Sequence, residues 1–130
     1  MSQREQAILL LAKAEEDLSA LHVLSSRSEV SDTIWGFHAQ QAVEKLLKAM
    51  LAHYGIAFPF SHRLYELADL LEDHDRPLDE EYEVLMPLTR YAVELRYSLL
   101  DADSSLRLDQ TLILRQVARL REEVAVLLRR

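Results

Sequence analysis

Apolar residues recur at helical spacing along four long stretches of the chain and one short one. The long stretches run from about Gln3 to Leu24, Asp32 to Tyr54, Asp79 to Leu100 and Gln110 to Leu128, and the short one from about His62 to Glu72. Steps of three and four residues place one apolar stripe on each segment. The pattern predicts an all-α fold, an antiparallel up-and-down bundle of about five helices, in a single domain spanning residues 1–130.

Helix-breaking and capping residues mark where these segments begin and end. Gly55 is suited to end the second helix in a left-handed conformation, and Ser61 is the expected N-cap of the short third helix. Pro87 lies inside the fourth segment. A proline at that place predicts either a kink or a helix that begins near Met86.

The second helix has an unusually wide apolar face, spread over roughly 160° of a helical wheel, at about 100° per residue. So wide a face suits a central helix with neighbours on two sides, and Leu46 is expected to be deeply buried. A polar row occupies the rest of the wheel and consists of His38, Gln41, Lys45 and Lys48, with Gln40 and Glu44 beyond it. We expect this polar stripe to face outward, and a solvated surface is the simplest explanation for it.

Composition and charge narrow the range of functions. The chain has 130 residues, a net charge of -7 and no Cys. The negative net charge argues against nonspecific electrostatic binding of nucleic acid. The lack of Cys excludes disulfides and thiolate chemistry. The apolar run near the start is too short for a signal peptide, and no stretch has the ~20 apolar residues of a membrane span. We expect a cytoplasmic protein that does not insert into a membrane.

Neither a metal site nor a cofactor is expected. No Glu is followed by His at the spacing of di-metal helical bundles, and there is no Gly-rich phosphate loop. The acidic run Glu72 to Asp75, with His74, is better explained as an exposed loop than as a metal site. The adjacent Ser61 and His62 are better explained as a helix cap than as a nucleophile with its base.

The stretch FHAQQAVEKLLK at residues 37–48 resembles the HEPN domain family, named for higher-eukaryote and prokaryote nucleotide binding. Members carry this run, then a Gly and Pro loop, a Ser/Thr-His-x-Leu helix start and a later Arg-Tyr pair. The corresponding parts here are Gly55 to Pro59, Ser61 to Leu64, and Arg96 with Tyr97. The resemblance covers roughly residues 5–128 and implies an up-and-down bundle of about five helices.

The resemblance also implies partners. Family members often form dimers, and many are encoded beside a minimal nucleotidyltransferase, in some cases as a toxin–antitoxin pair. We therefore expect a binding protein that is the partner of a minimal nucleotidyltransferase, with a nucleotide as a candidate ligand. For a homodimer, the candidate interface residues lie off the main apolar stripes: Tyr91, Tyr97, Leu114 and Leu128.

An alternative function is that of a metal-independent ribonuclease, the activity of several branches of the family. Their motif is an Arg, four to six residues, and a His. None of the five His residues of this chain follows an Arg at that spacing. A ribonuclease would therefore need a non-standard site that uses His38 or His62 from different helices.

The candidate ligand- or partner-binding face consists of the recognisable family residues and the polar row of the second helix. Its members are His38, Gln41, Lys45, Lys48, His62, Arg96 and Tyr97. Two ammonium groups and two amphoteric hydrogen-bonding groups on one side of a helix suit the recognition of phosphate and base. The competing interpretation is that Lys45 and Lys48 only solvate the helix, with Glu44 pairing to Lys48 four residues on.

Overall fold

The computed structural model describes residues 1–94 and 108–130. Within these ranges the chain forms five α-helices and one 3-10 helix, and no strand. The α-helices are α1 (Gln3–Leu24), α2 (Asp32–His53), α3 (Leu64–Asp73), α4 (Arg90–Glu94) and α5 (Gln110–Leu128), and the 3-10 helix (Glu80–Thr89) precedes α4. The predicted all-α class is confirmed.

Contacts between helix ends show that α1 is antiparallel to both long neighbours. Trp35, at the start of α2, donates its indole N–H to Oγ of Ser25, just past the end of α1. The guanidinium of Arg4, at the start of α1, donates to the carbonyl of Leu128, the last residue of α5. These contacts agree with the predicted up-and-down bundle.

Helix α2 lies at the centre and packs against α1, α3, α4, α5 and the 3-10 helix. The Ser31 hydroxyl accepts from the backbone N–H of Ile34 and so caps its start. Leu46 and Trp35 are fully enclosed. The wide apolar face predicted this position, since a helix surrounded on several sides must bury most of its circumference.

Two predicted helix boundaries are wrong. Helix α3 begins at Leu64 rather than His62, and the side chain of its N-cap residue, Arg63, makes no capping hydrogen bond. The Ser61 hydroxyl instead accepts from the N–H of Arg63 and donates to Glu66. The reason is that the segment around His62 is bonded to α2, as described below, and is not free to join the helix.

The fourth segment is also not one α-helix from Asp79. It runs as a 3-10 helix through Pro87, and α-helix begins only at Arg90. Pro87 has no N–H and its ring disfavours the preceding α-helical turn, so the tighter geometry continues up to it. The predicted end at Leu100 lies outside the described residues.

Two of the four residues proposed for a dimer interface belong to the core. Tyr91 and Leu128 are buried, and an ideal Cβ at Gly36 would lie 2.6 Å from Cγ of Tyr91, so this ring fills the space beside α2. Leu114 is half-buried, and Tyr97 lies outside the described residues. The off-stripe positions of Tyr91 and Leu128 are explained by packing inside the bundle.

Candidate functional site

The carboxylate of Glu44 lies beneath the loop that joins α2 to α3. Its side chain is only 7% exposed. It accepts hydrogen bonds from Nζ of Lys48 and Nε2 of Gln40, each at 2.9 Å, and Nδ1 of His62 lies 2.9 Å from its Oε1 atom. A charged group so far from water must be paired, and here three partners on two chain segments satisfy it.

These partners set the protonation state of Glu44. Burial raises the pKa of its carboxyl, but hydrogen bonds from Gln40, Lys48 and His62 outweigh burial, and the pKa lies below its ordinary value of 4.5. The carboxylate is thus ionised at neutral pH and only accepts. The Nδ1 atom of His62 is therefore the nitrogen that donates to Glu44.

A chain of amides extends the network along α2 and onto the loop backbone. Gln41 donates to Oε1 of Gln40 at 2.7 Å, and Gln40 also donates to the backbone carbonyl of His62 at 3.0 Å. His62 is thus held through both its ring and its main chain. Two of the four predicted row members, Gln41 and Lys48, belong to this network.

The other two row members, His38 and Lys45, share a carboxylate from α1. Nδ1 of His38 lies 3.2 Å from Oδ1 of Asp17, and Nζ of Lys45 lies 2.6 Å from Oδ2. All three side chains are partly buried. This cluster repeats the composition of the first one: a carboxylate with an imidazole and an ammonium group.

The prediction that the polar stripe faces outward is wrong for Gln40, Glu44 and Lys48, which are buried. A helical wheel records only the angles within one helix, and the loop after α2 folds back over this side. The ammonium groups of Lys45 and Lys48 each lie within hydrogen-bond distance of a carboxylate. The row therefore does not present two free positive charges to a phosphate group.

Two phenylalanines of the loop lie over this network. Nζ of Lys48 is 5.6 Å from the ring centre of Phe60 and 5.9 Å from that of Phe58, within the range of cation–π attraction. The Phe60 ring also meets His62 edge to face at 5.9 Å. Phe58 is half-buried against the core, whereas Phe60 is 95% exposed.

Sequence reasoning missed Asp17 and Phe60. Asp17 belongs to a helix with many charged residues, and nothing along the chain distinguishes it from Glu15 or Glu16. The sequence did contain an indication for Phe60, because this residue lies between Pro59 and the Ser61-His62 pair of the family motif. The predicted site residues Arg96 and Tyr97 lie outside the described residues, and their proximity to the row stays a prediction.

In residues 1–94 and 108–130, no three His, Asp or Glu side chains come together in an arrangement able to hold a metal ion. The run from Glu72 to Asp75 is exposed, as expected. Over the same ranges, no helix combines the length and the apolar character that crossing a bilayer requires.

Comparison with curated proteins and with solved structures gave no significant match. The family model described as HEPN domain matches residues 7–126, nearly the whole chain. The match includes α2 with its polar row and the loop that carries His62. The chain belongs to the HEPN domain family.

Proposed function

We propose that this protein is an interaction module that binds a minimal nucleotidyltransferase, in a pair of the toxin–antitoxin type, through the surface around Phe60. The observation that carries the proposal is the 95% exposure of Phe60 on a loop that is fastened to the bundle on both sides. Ile56 is buried before it, and His62 is bonded to Glu44 after it. The cytoplasm is the proposed setting.

An exposed aromatic ring on a fixed loop is well suited to anchor a partner. Aromatic residues dominate the energetics of protein interfaces when they insert into a pocket of the partner. Binding costs less free energy when the loop is already ordered, because little conformational freedom is lost. The buried network under the loop thus has a functional consequence, which is to hold Phe60 in solvent rather than against the core.

A nucleotide at the same surface would be recognised through its base. The ring of Phe60 and the imidazole of His62 offer flat faces on which a base can stack. The paired ammonium groups of Lys45 and Lys48 give little net charge for a phosphate. We propose that a nucleotide, when bound, lies between Phe60 and the partner.

The test is the affinity for the nucleotidyltransferase encoded beside this gene, measured by calorimetry with wild-type protein and Phe60→Ala. Removing the ring should weaken binding by about tenfold or more, about 1.4 kcal/mol. Val23→Ala is the matched control, because Val23 is an exposed apolar residue on α1. Wild-type affinity in Phe60→Ala would refute the proposed surface.

A second candidate function, a ribonuclease, is favoured by the pairing of His62 with Glu44. An imidazole that donates Nδ1–H to a carboxylate keeps Nε2 as a proton acceptor, the arrangement of a general base. The side chain of His62 is 49% exposed, so a substrate can reach it. The pair differs from the Arg-x4-6-His motif of the family's ribonucleases and draws its members from α2 and the following loop.

Ribonuclease activity is tested by incubating the protein with a labelled single-stranded RNA in the presence of EDTA. If the pair is catalytic, His62→Ala should abolish cleavage, whereas His53→Ala, in the last turn of α2, should not. Glu44→Gln should lower the rate and change its dependence on pH, because the imidazole loses its carboxylate partner. Absence of cleavage by the wild-type protein would exclude this function for the substrate used.

A further inference from the structure

A groove with a volume of about 860 Å³ runs between α3, the loop that follows it and the 3-10 helix. Apolar and aromatic side chains form part of its lining: Tyr65, Leu78, Met86 and Pro87. Tyr65 is half-exposed. A volume of this size is typical of ligand-binding clefts.

Every ionisable side chain of the groove other than tyrosine is a carboxylate. Asp69, Glu72, Asp79, Glu80 and Glu83 line it, and no described Lys, Arg or His does. A cleft lined by one sign of charge concentrates the opposite charge, because its low-dielectric walls focus the field. The groove is therefore attractive to cations.

The groove carboxylates differ from those of α1 and α5. Most acidic residues of α1 and α5 have a cationic partner within 4 Å, such as Glu15 with Arg121 and Glu16 with Lys13. Of the groove carboxylates, Asp79 pairs with Arg119. Among the described residues, no ion pair is formed by the other four: Asp69, Glu72, Glu80 and Glu83. Their charges remain available to a partner.

The geometry points to an extended Lys- or Arg-rich peptide segment of a partner protein as the occupant of this groove. The described carboxylates do not converge closely enough for a metal ion, which requires several ligands around one point. Spread along a cleft, they fit a chain that carries several separate positive charges. The apolar part of the lining suits the aliphatic stems of Lys and Arg, which pack on apolar surface while their charged ends reach the carboxylates. Phe60 is not among the lining residues, so this surface is independent of the function proposed above.

The experiment measures fluorescence anisotropy of a labelled octapeptide that alternates arginine and alanine. The wild-type protein is compared with the triple variant Glu72→Gln, Glu80→Gln and Glu83→Gln, which keeps side-chain size and removes three charges. The matched control is Glu16→Gln, Glu29→Gln and Asp73→Asn, whose sites are exposed and lie outside the groove. Both variants change the net charge from -7 to -4, since each loses three carboxylates.

The groove variant should bind the peptide about tenfold more weakly at low salt, and the control should stay within about twofold of wild type. Phe60→Ala should bind the peptide like wild type. Equal weakening in both triple variants would overturn the proposal, because it would show attraction by net charge alone. The absence of saturable binding would also overturn it. Displacement of the peptide by an equal concentration of spermine would overturn it as well, because it would assign the groove to polyamines.

Discussion

Nδ1 of His62 lies 2.9 Å from Oε1 of Glu44, although the two residues are 18 positions apart in the chain. The contact fastens the loop after α2 to a carboxylate inside the bundle. Gln40 strengthens the attachment, because it bonds both to Glu44 and to the backbone carbonyl of His62. The buried polar face of α2 therefore determines the course of the loop that carries Phe60.

The contacts of Glu44 lead to a prediction about how the free energy of unfolding depends on pH. Because the pKa of Glu44 is lower in the folded chain than its ordinary value of 4.5, its contribution to stability is complete above about pH 4.5 and is lost as pH falls through the folded pKa. Denaturant unfolding at a series of pH values should show a smaller acid dependence in Glu44→Gln than in the wild-type protein. Identical slopes in the two proteins would contradict this prediction.

Replacing each of the two lysines of the polar row by alanine should change the stability by different amounts. Lys48 is 10% exposed and pairs with a buried carboxylate, so Lys48→Ala should cost about 3 kcal/mol of unfolding free energy. Lys45 is more exposed and its partner Asp17 lies nearer the surface, so Lys45→Ala should cost about 1 kcal/mol or less. Urea unfolding of both variants measures the difference, and equal costs would show that burial of Lys48 is unimportant. The structure thus replaces the expectation, drawn from the wheel, that both lysines are on a solvated face.

Leu46→Ala should lower the free energy of unfolding by roughly 2–5 kcal/mol, because it leaves a cavity at a fully buried position of α2. Leu9→Ala is the control, since Leu9 is an exposed leucine on α1, and it should change stability by less than about 0.5 kcal/mol. Urea unfolding measures both. A cost below about 1 kcal/mol for Leu46→Ala would contradict the predicted packing.

Gly36→Ala should destabilise the protein despite the better helix propensity of alanine. The added Cβ would lie 2.6 Å from Cγ of Tyr91, near the base of the ring, where the side chain cannot move without its helix. Overpacking of this kind costs about 1–3 kcal/mol, against a propensity gain of about 1 kcal/mol. Thermal unfolding should therefore show a lower Tm. The loss should shrink in the Tyr91→Ala background, where the ring is absent; an unchanged loss there would exclude the clash as its cause.

We also propose that the protein is a homodimer. Tyr91 and Leu128 are buried and therefore do not belong to the interface that was predicted from the sequence. Of the predicted residues, the half-buried Leu114 remains a candidate for such a surface, and Ile8, an exposed apolar residue on α1, is a further one. Light scattering at tens of micromolar should give twice the chain mass of 15.0 kDa. A monomer mass at that concentration would refute the dimer.

Local periodicity was enough to predict three of the four long helices, namely α1, α2 and α5. The bounds of α1 and α5 agree with the predictions, and that of α2 differs by one residue at its end. Gly55 has a φ of 71°, the left-handed conformation that was expected to end α2. These features depend on spacing and on single residues with strong backbone preferences, which are present in the sequence itself.

The orientation of the polar row depended on the tertiary structure. The wheel correctly grouped His38, Gln41, Lys45 and Lys48, because those angles belong to one helix. It placed Gln40, Glu44 and Lys48 in solvent, whereas the loop from Gly55 to Arg63 covers them and supplies His62 as a partner. The sequence by itself determined which residues form helices and which share a face. Only the fold decided which polar face is buried, because that depends on contacts between segments far apart in the chain.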